Sequence, residues 1–231
     1  MLVICDGMPR SASTWSFNVV ATLLRARFPA AQVHGGPGFQ PVEALKSLGP
    51  DVRHAVLKTH ALTPLACALV RTGAAKAIYT HRDLADAVAS AMRSSGDSFR
   101  EALEIFLPGI DLYTFHRASR LGLIVPFQET VRNPAAAIGR MARYVLGERV
   151  PAGLIQQVAR ETSLDRMREK VARIDAGKPG MIAVRNTVYD PETLLFRNHI
   201  GEAASGYGRR VLTARQLARI DALIARHGLP R

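Results

Sequence analysis

The segment Gly7-Met8-Pro9-Arg10-Ser11-Ala12-Ser13-Thr14-Trp15 lies between a short apolar run, Leu2 to Cys5, and a helical pattern that begins near Ser13. A strand that turns through Gly, Pro and small residues into a helix points several backbone N–H groups, and the positive end of the helix, at one place. That arrangement suits an anion, so a phosphate-like group is expected there. Trp15, Val19 and Leu23 recur at helical spacing, with Phe17, Val20, Leu24 and Phe28 in an adjoining stripe, which makes one side of this helix core. Ser11, Ser13 and Thr14 add hydroxyl groups, and Arg10 adds a planar fork of permanent charge. An ordinary N-cap by Ser11 or Ser13 accounts for the same residues without a ligand. The stretch is not a Walker A loop, G-x-x-x-x-G-K-[ST]. Counted from Gly7, Ala12 replaces its second glycine and Ser13 its lysine, which disfavours a nucleoside triphosphate kinase.

The 231 residues are enough for one sizeable core, and no composition shift divides them, so a single domain over residues 1–231 is expected. Hydrophobic content of 48% with 22% charged residues is that of a globular protein. Lys and Arg number 31 against 19 Asp and Glu, and the net charge of +12 favours anionic partners. The excess is dispersed, without a long basic block or a basic run interleaved with aromatics, so nucleic acid binding is not expected as the main role. Cys5 and Cys67 belong to no Cys/His cluster, which argues against structural zinc. No signal-like segment opens the chain and no stretch is apolar enough to span a membrane. A soluble cytoplasmic protein with free thiols is the expectation.

Ala55 to His60 reads as a short buried strand that turns polar at its end, as happens where a parallel strand reaches the ligand edge of an α/β sheet. Alternation puts Lys58 and His60 on one face. Such a pair beside an anion site can serve as charge stabiliser and general base, although a solvated strand end fits the same residues. Lys76 to His81 repeats the pattern, with Asp83 capping a helix from Leu84 and Arg82 at the junction, where a bidentate grip on phosphate is easy. Ser90 lies two turns inside that helix and, by itself, reads as a serine back-bonded to a carbonyl. Asp97 to Leu107 and Ile110 to Leu121 are predicted as two helices broken at Pro108-Gly109. Leu123 to Phe127 is a further strand, and Pro134 to Leu146, Gly153 to Glu161, Leu164 to Arg173 and a final Thr213-capped segment are helices. His34 to Pro41 reads as loop, Val42 to Leu48 as a short helix, and Asp175 to Tyr189 as irregular and basic. The order of elements indicates a mainly parallel sheet flanked by helices.

Four segments together resemble the sulfotransferases that use 3′-phosphoadenosine 5′-phosphosulfate (PAPS). Gly7 to Trp15 is similar to their 5′-phosphosulfate loop, approximately x-x-P-[KR]-S-G-[TS]-T-W, and Lys58-Thr59-His60 to their K-T-H strand end. Ile78 to Ser90, with Arg82 and Ser90 at the required separation, resembles the 3′-phosphate segment. Phe196-Arg197-Asn198-His199-Ile200-Gly201 takes the place of the late R-K-G-x-x-G loop. Weaker similarity runs through Phe127-Gln128-Glu129 and Glu161 to Met167, so the likeness covers most of the chain in order.

The resemblance implies a P-loop NTPase-like sulfotransferase fold. In this reading the first loop's amides, with Arg10, Ser11, Ala12, Ser13 and Thr14, hold the 5′-phosphosulfate, while Trp15 packs on adenine. As the chain's one tryptophan, Trp15 also fits a plain core anchor. Arg82, Ser90 and Arg197 would grip the 3′-phosphate, with the Asn198 to Gly201 backbone nearby. Lys58 and Arg10 would neutralise charge on the moving sulfuryl group, and His60 would take the proton from a hydroxyl or amine of a small-molecule or glycan acceptor. The product is 3′-phosphoadenosine 5′-phosphate (PAP), and no metal is required.

Four departures bear on cofactor affinity: Ala12 for the loop glycine, Arg10 for lysine, Asn198-His199 for Lys-Gly, and Gln128 for a tyrosine near adenine. His81 and His199 are alternative bases. A P-loop phosphotransferase and a binding module without catalysis are the competing readings.

Overall fold

Five strands, β1 (Leu2–Gly7), β2 (Gln32–His34), β3 (Ala55–Lys58), β4 (Ala75–His81) and β5 (Leu123–Pro126), form one parallel sheet in the order β2-β3-β1-β4-β5. The computed structural model describes residues 1–35, 45–46, 48, 51–61, 63–147, 149–175, 177–184, 187–197, 200 and 205–230. The helices among them are α1 (Ser13–Arg27), α2 (Pro64–Arg71), α3 (Leu84–Ser95), α4 (Phe99–Ser119), α5 (Phe127–Arg132), α6 (Pro134–Leu146), α7 (Ala152–Glu161), α8 (Leu164–Ala172), α9 (Tyr207–Val211) and α10 (Ala214–His227).

A strand buried on both faces needs apolar residues without alternation, and β1 supplies them. Val3 and Cys5 face α1, α6 and α7, packing with Phe17, Val20, Leu24, Ile138, Met141 and Val158. Ile4 points the other way, toward Ala66 and Val70 of α2. On that second side Tyr79 of β4 packs with α3, α4 and α10. Because β1 pairs with β3 on one side and β4 on the other, its C-terminal end opens where the chain leaves the sheet in opposite directions, the usual place for a ligand in such sheets.

A buried hydrogen bond braces this end of β1: His116 Nε2 of α4 lies 2.8 Å from Asp6 Oδ2. Burial pushes the Asp6 carboxyl above its ordinary value, against the pull of His116. Asp83 caps α3, accepting the Asp86 N–H at 2.9 Å, and a Thr213/Gln216 capping box opens α10, both as the sequence indicates.

Three readings change. Residues 99–119 are one helix, opened by a Ser98/Glu101 capping box, and not two broken at Pro108-Gly109. Pro108 removes the bond to the Glu104 carbonyl, but both residues are exposed and water can replace it. Gly109 is needed for contact, since a Cβ there would stand 3.1 Å from Met8 Cα, and its carbonyl accepts the Tyr79 hydroxyl at 2.6 Å. Second, β2, α2 and an antiparallel hairpin, β6 (Ile182–Val184) with β7 (Thr187–Tyr189), appear in segments that sequence periodicity left as loop or without an element. The strands concerned are only three residues long, too short for a period to register. Third, Phe127 opens α5 and does not end β5. Most of Val42 to Leu48 lies outside the described residues.

Candidate functional site

Gly7 ends β1 where no side chain fits: a Cβ would lie 2.8 Å from the Thr80 carbonyl. The turn that follows is built on that contact. Met8 N–H donates to Thr80 O at 3.0 Å, and Ser11 Oγ lies 2.6 Å from Met8 O and 2.8 Å from Thr80 Oγ1. Ser11 is fully buried by these bonds and holds the loop against β4, so its hydroxyl does not line the cavity beside it. Arg10 and Ala12 both adopt left-handed backbone, at φ 61° and 70°, which brings the first turn of α1 round with its amides forward. No side chain caps that end of α1 and no acidic residue stands in its first turn, so its N–H groups and dipole remain available to an anion.

The left-handed alanine costs about 1–2 kcal/mol, whereas glycine there costs about 0.4–1 kcal/mol through a freer unfolded chain. Ala12→Gly is therefore expected to stabilise the protein by about 0.5–1 kcal/mol, a rise of about 1–4 °C in Tm. Calorimetry checks this, and an unchanged or lower Tm would show that the turn stores no strain.

A cavity of about 320 Å³ opens over this helix end, lined by Arg10 and Ala12 to Trp15, by Arg82 and Ser90, and by residues of α5, α7 and α8. Arg10 Nε donates to Ser90 Oγ at 3.2 Å. Ser90 thus faces the cavity and Arg10. Arg82 is buried with its guanidinium 4.2 Å from the Phe127 ring centre. Burial, and then the neighbouring cations Arg82 and Arg93, lower Arg10 to about 10. Arg82 is lowered by burial and Arg93, against the opposing pull of Asp86 and Asp83. Trp15 lines the cavity while its Nε1–H donates to Thr162 O at 2.9 Å, so it serves the wall and the core together.

Lys58 and His60 do share a face. Lys58 Nζ lies 2.7 Å from His60 Nε2, and His60 Nδ1 lies 2.7 Å from Gly7 O. A carbonyl only accepts, so Nδ1 carries the proton and Nε2 is the basic nitrogen, accepting from the Lys58 ammonium. Burial, then the Lys58 charge, hold His60 down to about 3, against the Gly7 bond, and burial holds Lys58 down to about 8. The pair does not line the cavity itself but is anchored to the carbonyl at the loop's first residue.

Arg197 is exposed, while Leu195 and Ile200 on either side of it reach the cavity wall. Asn198, His199 and Gly201 lie outside the described residues. Farther along, Asp86 of α3 accepts the N–H of Gly206 at 2.9 Å and of Gly208 at 2.8 Å, tying the late segment to the helix that carries Ser90. His81 is buried against Tyr113 and held down to about 4 by burial, away from the cavity lining. Gln128 does not line the cavity, whereas its neighbour Phe127 does. Sequence reasoning did not assign Thr130, Val131, Leu164 or Met167 to the wall. Among the described residues no group of three or more His, Cys, Asp and Glu side chains could hold a metal, and no helix is long and apolar enough to cross a membrane.

No protein-family model matches the chain, and no curated protein matches it in sequence. Solved structures do. Mouse sulfotransferase SULT7A1 complexed with PAP superposes with a TM-score of 0.70 at 18% identity, covering 100% of this chain and 85% of that one. Retinol dehydratase, in one structure with androsterone and the inactive cofactor PAP and in another with retinol and PAP, gives TM-scores of 0.68 and 0.69 at 14% identity, covering 98% of this chain and 80% of that one. With its parallel sheet, its strand order and its helix-capped loop accounted for along nearly the whole length, the chain has the sulfotransferase fold.

Proposed function

We propose that the protein is a PAPS-dependent sulfotransferase acting on a hydroxyl or amine of a small-molecule or glycan acceptor. One observation carries this reading: the uncapped end of α1, Arg10, Arg82 and Ser90 converge on one cavity, with an ammonium–imidazole pair anchored to the same loop. The cavity volume is that of a small-ligand site. Its donors are cations, hydroxyls and helix amides without a carboxylate in the wall, as an adenosine bisphosphate requires. The solved structures of this fold named above hold PAP, and two of them also hold androsterone or retinol.

The first-turn amides of α1, with Ser13, Thr14 and Arg10, bind the 5′ end, and Ser11 shapes the loop from behind. Arg82 and Ser90 take the 3′-phosphate, joined by Arg197. Trp15 packs beside the base. PAPS supplies the sulfuryl group for in-line transfer. Lys58, on leaving Nε2, offers its charge to the transferring oxygens. His60 Nε2, freed by that movement, accepts the acceptor's proton, while Gly7 O stabilises the Nδ1–H of the resulting imidazolium.

Calorimetric titration with PAP, followed by turnover of labelled PAPS with a phenol, a steroid alcohol, a sugar and an amine, tests the reading. Micromolar-range PAP binding and label transfer to at least one acceptor class are expected. Binding of neither PAP nor PAPS would overturn it, and magnesium-dependent ATP turnover in its place would favour a phosphotransferase.

A further inference from the structure

We infer that Arg93 is a further 3′-phosphate-binding residue, the third cation of a cluster with Arg10 and Arg82, and that it selects for the doubly charged phosphate. The inference rests on the proposed cofactor site.

Arg93 follows Ser90 by three residues on α3, which places both on one helix face about one turn apart. The rise between them is about 4.5 Å, well within the reach of an arginine side chain. Its guanidinium lies 5.3 Å from the ring centre of Tyr207, the first residue of α9. That ring is itself fixed in place, because Asp86 holds the N–H groups of Gly206 and Gly208 on either side of it. An aromatic face orients a guanidinium without cancelling its charge, as a carboxylate would.

The charge is felt where it matters. Arg93 stands outside the cavity wall, one helical turn from the Ser90 hydroxyl that Arg10 binds, and its charge adds to burial in lowering both Arg10 and Arg82. The mutual repulsion of the three cations is a cost of the empty site that a dianion removes, and a phosphate monoester carries about −1.5 to −2 at neutral pH. A ligand without that group leaves the cost in place.

The test is titration calorimetry with PAP and with adenosine 5′-monophosphate, which lacks the 3′-phosphate, on the wild type and on Arg93→Met and Arg93→Lys. Arg93→Met is expected to raise the PAP Kd about tenfold and to shift that of the monophosphate less than twofold, with Arg93→Lys intermediate for PAP. The Arg93 side chain is exposed, so the fold should survive the change; the unliganded Tm should stay level or rise, and the increase in Tm produced by PAP should shrink. Unchanged PAP affinity in Arg93→Met would overturn the inference, as would equal losses for the two nucleotides, which mark a diffuse field and not a 3′ contact. Failure of the wild type to bind PAP at all is a different result, and it removes the functional reading itself.

Discussion

His60→Ala is expected to lower sulfuryl transfer about 10²–10⁴-fold while leaving PAP affinity within about twofold. The imidazole stands outside the wall of the cavity proposed for the nucleotide, and its two nitrogens are committed to Gly7 O and to the Lys58 ammonium, so removing it takes away no bond to the cofactor. It does take away a nitrogen whose tautomer the fold has set for accepting a proton. The pH profile gives a second readout. His60 must be neutral and Lys58 protonated; with values of about 3 and about 8, kcat/KM should be level across pH 5 to 7 and fall as the pH rises past about 8. Bound cofactor, being anionic, should move that alkaline limb upward in kcat. Lys58→Arg, whose guanidinium keeps its proton, should remove the limb. Unchanged turnover in His60→Ala takes His60 out of the mechanism, and an acid limb near the ordinary histidine value of about 6.5 would show that it titrates as a solvated group.

The loop, the Lys58/His60 face and the Arg82 junction were legible because each is a local pattern: a strand, a turn and a helix start lie within a dozen residues, and alternation or capping places the side chains. Helices α1, α3, α6 and α10 were legible for the same reason. Ser90 was not legible from its own position. Mid-helix serines bond their own backbone by default, and only the 3.2 Å approach of Arg10, eighty residues earlier in the chain, turns it toward the cavity. Ser11 shows the opposite failure. Its type and place suggest an anion contact, yet Thr80 of the neighbouring strand takes the hydroxyl, a pairing visible only once β1 and β4 are side by side.

Arg93 gave no signal at all, because its meaning depends on Tyr207, more than a hundred residues later. The apolar wall from Thr130 to Met167 was equally hidden, since Leu164 and Met167 read as the inner face of an ordinary amphipathic helix until α8 is seen to close the cavity. The continuous α4 marks the limit of punctuation rules. Pro108-Gly109 ends a helix in isolation, but here the glycine is what lets α4 lie against Met8, and packing outweighs propensity.

Arg82→Met is expected to weaken PAP binding about 100-fold and adenosine 5′-monophosphate binding only about threefold. Methionine keeps most of the volume, which matters because Arg82 is only 4% exposed. What is lost is the charge and the two-pronged donor edge, held at the cavity wall by the Phe127 ring. The unliganded protein should change little in stability, since losing the Phe127 contact and the attraction of Asp83 and Asp86 is offset by no longer burying a cation that Arg10 and Arg93 repel. The liganded protein should change much. At a fixed PAP concentration well above the wild-type Kd, a 100-fold weaker site forfeits about 2.7 kcal/mol of ligand stabilisation, or about 5–10 °C of the PAP-induced rise in Tm. Arg82 differs from Arg93 in being enclosed, so its contribution should persist at high salt while that of the exposed Arg93 fades. Titrations at low and high ionic strength separate the two. Wild-type PAP affinity in Arg82→Met would mean that the 3′-phosphate binds elsewhere on the chain, whereas an equal loss for adenosine 5′-monophosphate would reverse the assignment of the cavity's two ends.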